Sequence, residues 1–276
     1  MKTPSIEGFL VLDKPYGLSS MKALSRVRVL ARDTARGAKT GHAGTLDPLA
    51  TGILVIGVGR PATRLLSRVM AASKRYRTEV DLSAFSPSDD LEREPEPVAV
   101  ETPPDRADVE RALLQFHGHI QQAPPAFSAI KVDGRRAYLL ARDRKLDALP
   151  DRPVHVRDIS LVDYEWPVAT IDIHCGKGFY VRSLARDLGV ALDTGGYCRA
   201  IRRTAVGPFT LDVAWSLADL PDKITQSDLV SIDDALDQLK AMETVEISPD
   251  EDAADHRDRG IASNPASPGD SQRCDG

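Results

Sequence analysis

The chain has 276 residues, 42% of them hydrophobic, which is enough for a real core in one large or two modest domains. No run of about 18 apolar residues occurs and the N-terminus lacks the basic-then-apolar layout of a signal peptide, so a cytoplasmic protein without a membrane span is expected. Cys175, Cys198 and Cys274 are an odd count without Cys-x-x-Cys spacing, which argues against a disulfide framework and a structural zinc site. The net charge of −5 is unevenly divided: +9 over residues 1–80 and +5 over 111–210, against −8 over 81–110 and −11 over 211–276. Phosphate neutralisation depends on local positive charge, so this layout suits a nucleic-acid ligand despite the negative total.

In chain order, Gly8–Leu12 reads as a strand, and Ser19 or Ser20 caps a helix to about Arg32 with Leu24, Val27 and Ala31 on one face and Lys22 and Arg26 on another. Ile53–Val58 is short, apolar and β-branched, as a buried strand would be. A helix over Ala62–Met70 and a strand over Lys74–Leu82 follow. From Ser83 to Asp105, Ser, Pro, Asp and Glu dominate, and this stretch is expected to be an exposed acidic loop. Ala107–Phe116 can form a helix that Gln122-Ala123-Pro124-Pro125 must leave. Phe127–Val132 reads as a strand, Asp133-Gly134 as its turn, and Arg135–Arg144 as a helix with several solvent-facing arginines. Val154–Tyr164 and Ala169–Cys175 look like a strand pair. Val181, Leu184, Ala185 and Leu188 form the helical stripe of a segment from Tyr180 to Ala191. A strand over Thr204–Leu211 and short helices near Leu217 and over Ile232–Met242 close the ordered part. Residues 246–276, acidic and nearly devoid of large apolar side chains, are expected to be a disordered tail beyond a domain of residues 1–245. Strands and helices interleave without a strict repeat. The pattern predicts an α+β fold, with a mixed, largely antiparallel central sheet and flanking helices.

The most informative stretch is Gly41-His42-Ala43-Gly44-Thr45-Leu46-Asp47-Pro48-Leu49-Ala50-Thr51-Gly52. Pro48 biases Asp47 away from helix and places its carboxylate at the lip of the following strand. An ordinary Asp-Pro turn before a core strand is the plain alternative. With Gly8–Pro15 upstream and Lys74-Arg75-Tyr76-Arg77 downstream, this loop resembles the tRNA pseudouridine synthase B family. The likeness continues through Phe127–Lys131 and His174–Arg182 and fades after about Phe209.

The resemblance implies a pseudouridine synthase fold and the isomerisation of uridine to pseudouridine in the T-arm loop of tRNA (uridine 55), without cofactor or metal, by a monomer needing no protein partner. It implies Asp47 as the catalytic carboxylate, as a nucleophile or as a base on the sugar. Arg182 matches the arginine that pairs with the aspartate. A cation in the first turn of a helix is unfavourable by about 0.3 to 1 kcal/mol, and an adjacent anion would relieve it. Tyr76 matches the residue lying against an extruded base. His42 matches the one filling the space that base vacates. Tyr180 and Ile201 match pocket positions, the latter usually leucine in the family. Lys14 and Pro15 are expected to brace the site or meet the RNA backbone, Lys131 to contact phosphate, and Arg186 to line the cleft beside Arg182. Many family members carry a small RNA-binding module, called PUA, where this chain has its acidic tail. Two other readings are an RNA-binding or RNA-folding protein without turnover and an aspartate-dependent glycoside or nucleoside hydrolase, the second weakened by the lack of a convincing partner carboxylate.

Overall fold

Residue alternation along the first strands dictates how the helices stack. The computed structural model describes residues 6–32, 39–128, 131–132, 135–136 and 149–247. In chain order the elements are β1 (Gly8–Lys14), α1 (Ser20–Leu30), β2 (Thr40–His42), β3 (Thr51–Val58), α2 (Arg60–Ala71), β4 (Lys74–Asp81), β5 (Ala84–Phe85), β6 (Glu96–Pro97) and α3 (Arg106–Leu113). They continue with β7 (Gly118–Gln122), β8 (Lys131–Val132), β9 (Arg135–Arg136), β10 (Arg152–Glu165), β11 (Val168–Cys175), α4 (Val181–Ala191), β12 (Tyr197–Val206), β13 (Phe209–Thr210), β14 (Trp215–Ser216) and α5 (Ile232–Ile247).

The main sheet runs β14-β1-β3-β12-β4-β11-β10-β7, with β2 added to β3 and β13 to β12. Its pairs are antiparallel except β1 with β14 and β3 with β12. On β1 and β3, Leu10, Leu12, Leu54 and Ile56 pack against Ala23, Leu24 and Val27 of α1. The alternate residues Phe9, Val11, Ile53 and Val55 pack against Ala62 and Val69 of α2 and Ala235 and Leu239 of α5. Both strands are therefore buried on both faces and read as continuous apolar runs. Strands β4, β10 and β11 instead alternate. Their inward residues Val80, Val156, Ile171 and Ile173 meet Val109 and Leu113 of α3 and Leu184 and Leu188 of α4, while Arg77, Asp172 and Glu79 face outward.

The second edge of β3 is shared. Its end pairs with β2 (His42↔Ile56) and its start with β12 (Thr51↔Arg202), so residues 43–50 must loop out between two neighbours of one strand. That interruption sets the position of Asp47.

Several expectations are corrected. The stretch expected as an exposed acidic loop is only partly exposed: Ser86, Ser88, Asp89 and Asp90 are buried, because arginines from α4 supply the charges these carboxylates need. The strand expected over Thr204–Leu211 begins at Tyr197 and ends at Val206, where Gly207 turns the chain at φ +51° into β13. No helix forms at Leu217. Trp215 and Ser216 instead add a parallel strand to β1, with single helical turns at Leu211–Val213 before it and Gln226–Asp228 after it. Gly118–Gln122, not anticipated as a strand, pairs with β10. Arg135–Arg136 is a strand rather than the start of a helix, and Phe127 and Ser128 form a bend; residues 129–130 and the remainder of the expected helix lie outside the described residues. Residues 246 and 247 complete α5, and the rest of the expected tail also lies outside the described residues.

Candidate functional site: a carboxylate on a bolted loop

The loop carrying Asp47 is fastened along its length by groups the sequence supplies nearby. The Ser20 hydroxyl accepts from Leu46 N–H (2.8 Å) and donates to Leu46 C=O (2.9 Å), closing a two-way clasp in the buried interior. The Pro48 carbonyl accepts from Gly17 N–H at 2.8 Å, and Ala50 N–H returns to Asp47 C=O at 3.1 Å. Lys14 is fully buried, and its ammonium donates to the carbonyls of Leu18 (2.7 Å), Pro15 (3.0 Å) and Pro48 (3.4 Å). Burial pulls its pKa down to about 8, although the Asp47 charge works the other way. Lys14 is thus a brace under the Asp47 loop, with no ammonium surface to offer a phosphate. On the other flank Arg203 donates to Ile53 C=O (2.7 Å) and Gly44 C=O (3.1 Å). Gly52, at φ +98°, has no room for a side chain: a Cβ there would sit 2.2 Å from the Arg203 carbonyl oxygen.

Asp47 itself keeps 41% of its side chain exposed, with Oδ2 2.9 Å from Nη2 of Arg182. Arg182 is the reverse, with 5% of its side chain exposed. Its guanidinium also donates to the carbonyls of Ser88 and Phe127, each at 3.0 Å, and lies 3.5 Å from Asp90 Oδ2. Burial disfavours that charge, yet Asp47, Asp90 and Asp89 together outweigh it and hold the guanidinium above its ordinary pKa. Burial pushes the Asp90 carboxyl up against the pull of Arg182. One turn along α4, Arg186 meets Asp89 at 3.2 Å and donates to Ala123 C=O at 3.1 Å. Asp89, in the left-handed region at φ +58°, is raised to about 6 by burial, with Arg186 and Arg182 opposing. The start of α4 is set by Gln122, whose side-chain amide accepts from Tyr180 N–H (2.8 Å) and donates to Tyr180 C=O (3.1 Å).

These pieces surround a cleft of about 400 Å³ lined by Asp47, Tyr76, Tyr180, Arg182 and Ile201 together with Met70, Lys74, Phe179 and Arg203. Burial pushes both tyrosine phenols above their usual range, with Arg203 opposing at Tyr76. Five of the residues singled out from sequence therefore meet in one space. His42 ends β2 at the foot of the loop and is not among the lining residues; burial and Arg203 both lower its pKa. Arg186 stands behind Arg182 rather than in the cleft. Lys131 lies on β8 opposite Arg136, and its side chain falls outside the described residues.

Asp89, Asp90, Gln122, Lys74 and Arg203 were not found by sequence reasoning. The Asp pair sits in a Ser/Pro/Asp run that reads as solvated, and no local signal marks it as buried. Among the described lining residues Asp47 is the one carboxylate, so the cleft offers a single ionisable oxygen pair beside a fixed cation, between aromatic and aliphatic walls. That arrangement can act on a sugar while a flat ring is held above it; it lacks the paired carboxylates of glycoside hydrolysis.

Two family models divide the chain. Residues 32–181 match the N-terminal domain of the TruB family of pseudouridylate synthases, and residues 182–245 match the C-terminal domain of tRNA pseudouridylate synthase B. Fold and site together define a pseudouridine synthase, which is an isomerase. The tRNA pseudouridine synthase B of Corynebacterium efficiens is 42% identical over 233 residues, covering 83% of this chain and 76% of the relative. That of Caulobacter vibrioides is 42% identical over 259 residues, covering 91% and 80%. Among solved structures, a chain in the crystal structure of a Cbf5-Nop10-Gar1 complex is similar with a TM-score of 0.58 and 27% identity, over 77% of this chain and 53% of that one. The chain belongs to the TruB family of pseudouridylate synthases.

Proposed function

We propose that the chain converts uridine to pseudouridine in the T-arm loop of tRNA, with Asp47 as the catalytic carboxylate. The observation that carries this is the 2.9 Å contact between Asp47 Oδ2 and Arg182 Nη2 at the floor of the cleft. The reaction breaks the C1′–N1 bond, turns the base and joins C1′ to C5; the C5 proton is lost and N1 gains one. Asp47 acts as a carboxylate, by attack at C1′ or by removing a ribose proton, with the buried guanidinium of Arg182 beside it. Base–aromatic stacking contributes about 1 to 3 kcal/mol, enough to offset much of the cost of extruding a base, and in this reading Tyr76, which lines the cleft, supplies it. Tyr180 and Ile201 wall the pocket, and His42 fills the space left in the RNA loop. Arg60 and Arg64 are exposed on α2, a helix without a single acidic residue whose far end brings Met70 to the cleft. They support an approach of the phosphate backbone from that side. Lys131 is a further phosphate contact in this reading, and residues 1–245 act as a monomer in the cytoplasm. Among the described residues no helix is long and apolar enough to cross a membrane.

The test is pseudouridine formation on an unmodified tRNA transcript by the wild type and by Asp47→Asn. Product from the wild type and none from the variant is expected. Equal product from both would end the aspartate assignment, and release of free uracil would point to a hydrolase.

A further inference from the structure

Behind the catalytic loop lies a larger hollow, of about 700 Å³, that the reaction does not use. It is lined by Lys22 and Arg26 of α1, by Arg202, and by Thr51 and Pro15. A smaller hollow of about 250 Å³ adjoins it, sharing Thr51 and Arg202, and its rim carries Tyr16, whose residue is 69% exposed. The loop from Asp47 to Thr51 and Ile201 of β12 lie between the cleft and the hollows. Asp47 and Ala50 face the cleft, Leu49 and Thr51 face the hollows, and Gly17, next to Tyr16, is tied to Pro48.

The charge here is positive and unspent. Helix α1 contains no acidic residue, and among the described residues neither Lys22 nor Arg26 has a carboxylate partner. Arg202 is paired with Asp13 at 2.7 Å, and Glu79 is the other carboxylate along the walls. An exposed tyrosine on one hollow and, on the adjoining one, cations without a carboxylate partner among the described residues are what a single-stranded nucleotide needs, a flat ring for its base and charge for its phosphate. A hollow of this volume is in the range that encloses a ligand of nucleotide size.

We infer that this hollow is a second RNA subsite, which takes a nucleotide of the substrate from outside the loop that carries the target uridine: Lys22 and Arg26 hold its phosphate and Tyr16 stacks its base. The inference rests on reading the cleft as an RNA site. It is tested with the triple variant Tyr16→Ala/Lys22→Glu/Arg26→Glu on full-length tRNA transcript and on the isolated T-arm stem-loop. All three side chains are exposed, so the thermal transition should be unchanged. On full-length tRNA, KM should rise by at least about tenfold, since one lost base stack alone is worth about five- to hundredfold, while kcat holds. The salt slope of tRNA binding should fall by about 0.7 to 0.9, as expected for one lost phosphate contact. The isolated stem-loop should be turned over as by the wild type, and Tyr16→Phe should behave as wild type on both substrates. An unchanged KM on full-length tRNA, or an equal loss on both substrates, overturns the subsite. If the wild type forms no pseudouridine, the parent reading fails by itself; filter retention of full-length tRNA then still decides the subsite, with equal retention by wild type and triple variant overturning it.

Discussion

Arg182 and Asp90 should prove strongly coupled in stability, and the coupling can be worked from their burial. Arg182→Met removes a cation with 5% of its side chain exposed and leaves Asp90, with 3% exposed, facing two carbonyls that have also lost their donor. Breaking a buried pair on one side costs about 3 to 5 kcal/mol, because the remaining charge is uncompensated. For a chain of this size that is a fall of about 6 to 20 °C in Tm. Asp90→Asn alone should cost about 1 to 2 kcal/mol, since Asp47 still balances Arg182. In the double variant the stranded charge is gone, so its loss should be smaller than the sum by about 1 to 2 kcal/mol. Urea unfolding followed by tryptophan fluorescence measures all four proteins. The sign with pH is also set. In Arg182→Met the Asp90 pKa is raised further, so the folded state binds the extra proton, and its stability should decline as pH rises through that raised value. Product formation should be lost in Arg182→Met and in Asp47→Asn, but the latter, with its carboxylate 41% exposed, should keep its stability within about 1 kcal/mol. Additivity within about 0.5 kcal/mol in the cycle would refute the shared buried network.

Lys14→Met should leave the carbonyls of Pro15 and Leu18 without the ammonium donor, at about 1 to 3 kcal/mol, and loosen Pro48, which keeps only its bond from Gly17 N–H, beside Asp47. Single-turnover rates should drop while tRNA affinity stays; a matching loss of affinity would show that Lys14 meets RNA instead. Asp89 retains its proton up to about 6 in the folded chain, against 3.8 for an ordinary aspartate, so its contribution is present in acid and is lost as pH rises through about 6. The stability of wild type relative to Asp89→Asn should therefore decline by about 2 to 3 kcal/mol between pH 4 and pH 7. A flat difference across that range would mean the carboxylate is ionised throughout.

What could be read in the sequence was whatever local chemistry fixes. The Ser19 cap of α1, the apolar stripe of α4 and the alternation along β11 all report a periodicity that tertiary contacts then reinforce. The loop of Asp47 was marked by its resemblance to a known family, since its glycines and Pro48 alone fit an ordinary Asp-Pro turn. The polar elements were hidden. β12 carries Arg199, Arg202 and Arg203 in succession and reads as a basic loop until its partners are known: Asp13 for Arg202, and two backbone carbonyls for Arg203. The same applies to Asp89 and Asp90. A Ser/Pro/Asp run reads as solvated unless a guanidinium more than 90 residues away is known to reach it. Buried charge is a pairwise property across the chain, and single-sequence periodicity contains no information about it.

The same pairing explains why Asp47 is exposed and Arg182 is not. If Asp47 and Arg182 depended only on each other, a substrate drawing on the carboxylate would also free the arginine. Arg182 instead has three further acceptors on two other segments, so its position does not depend on Asp47. Asp47 in turn is oriented by Ser20, Gly17 and Lys14 acting on its backbone neighbours, and not by ligation of its own carboxylate from below. One oxygen can then leave the guanidinium and meet a ribose at little cost in order, because the interactions that hold the site together are made elsewhere.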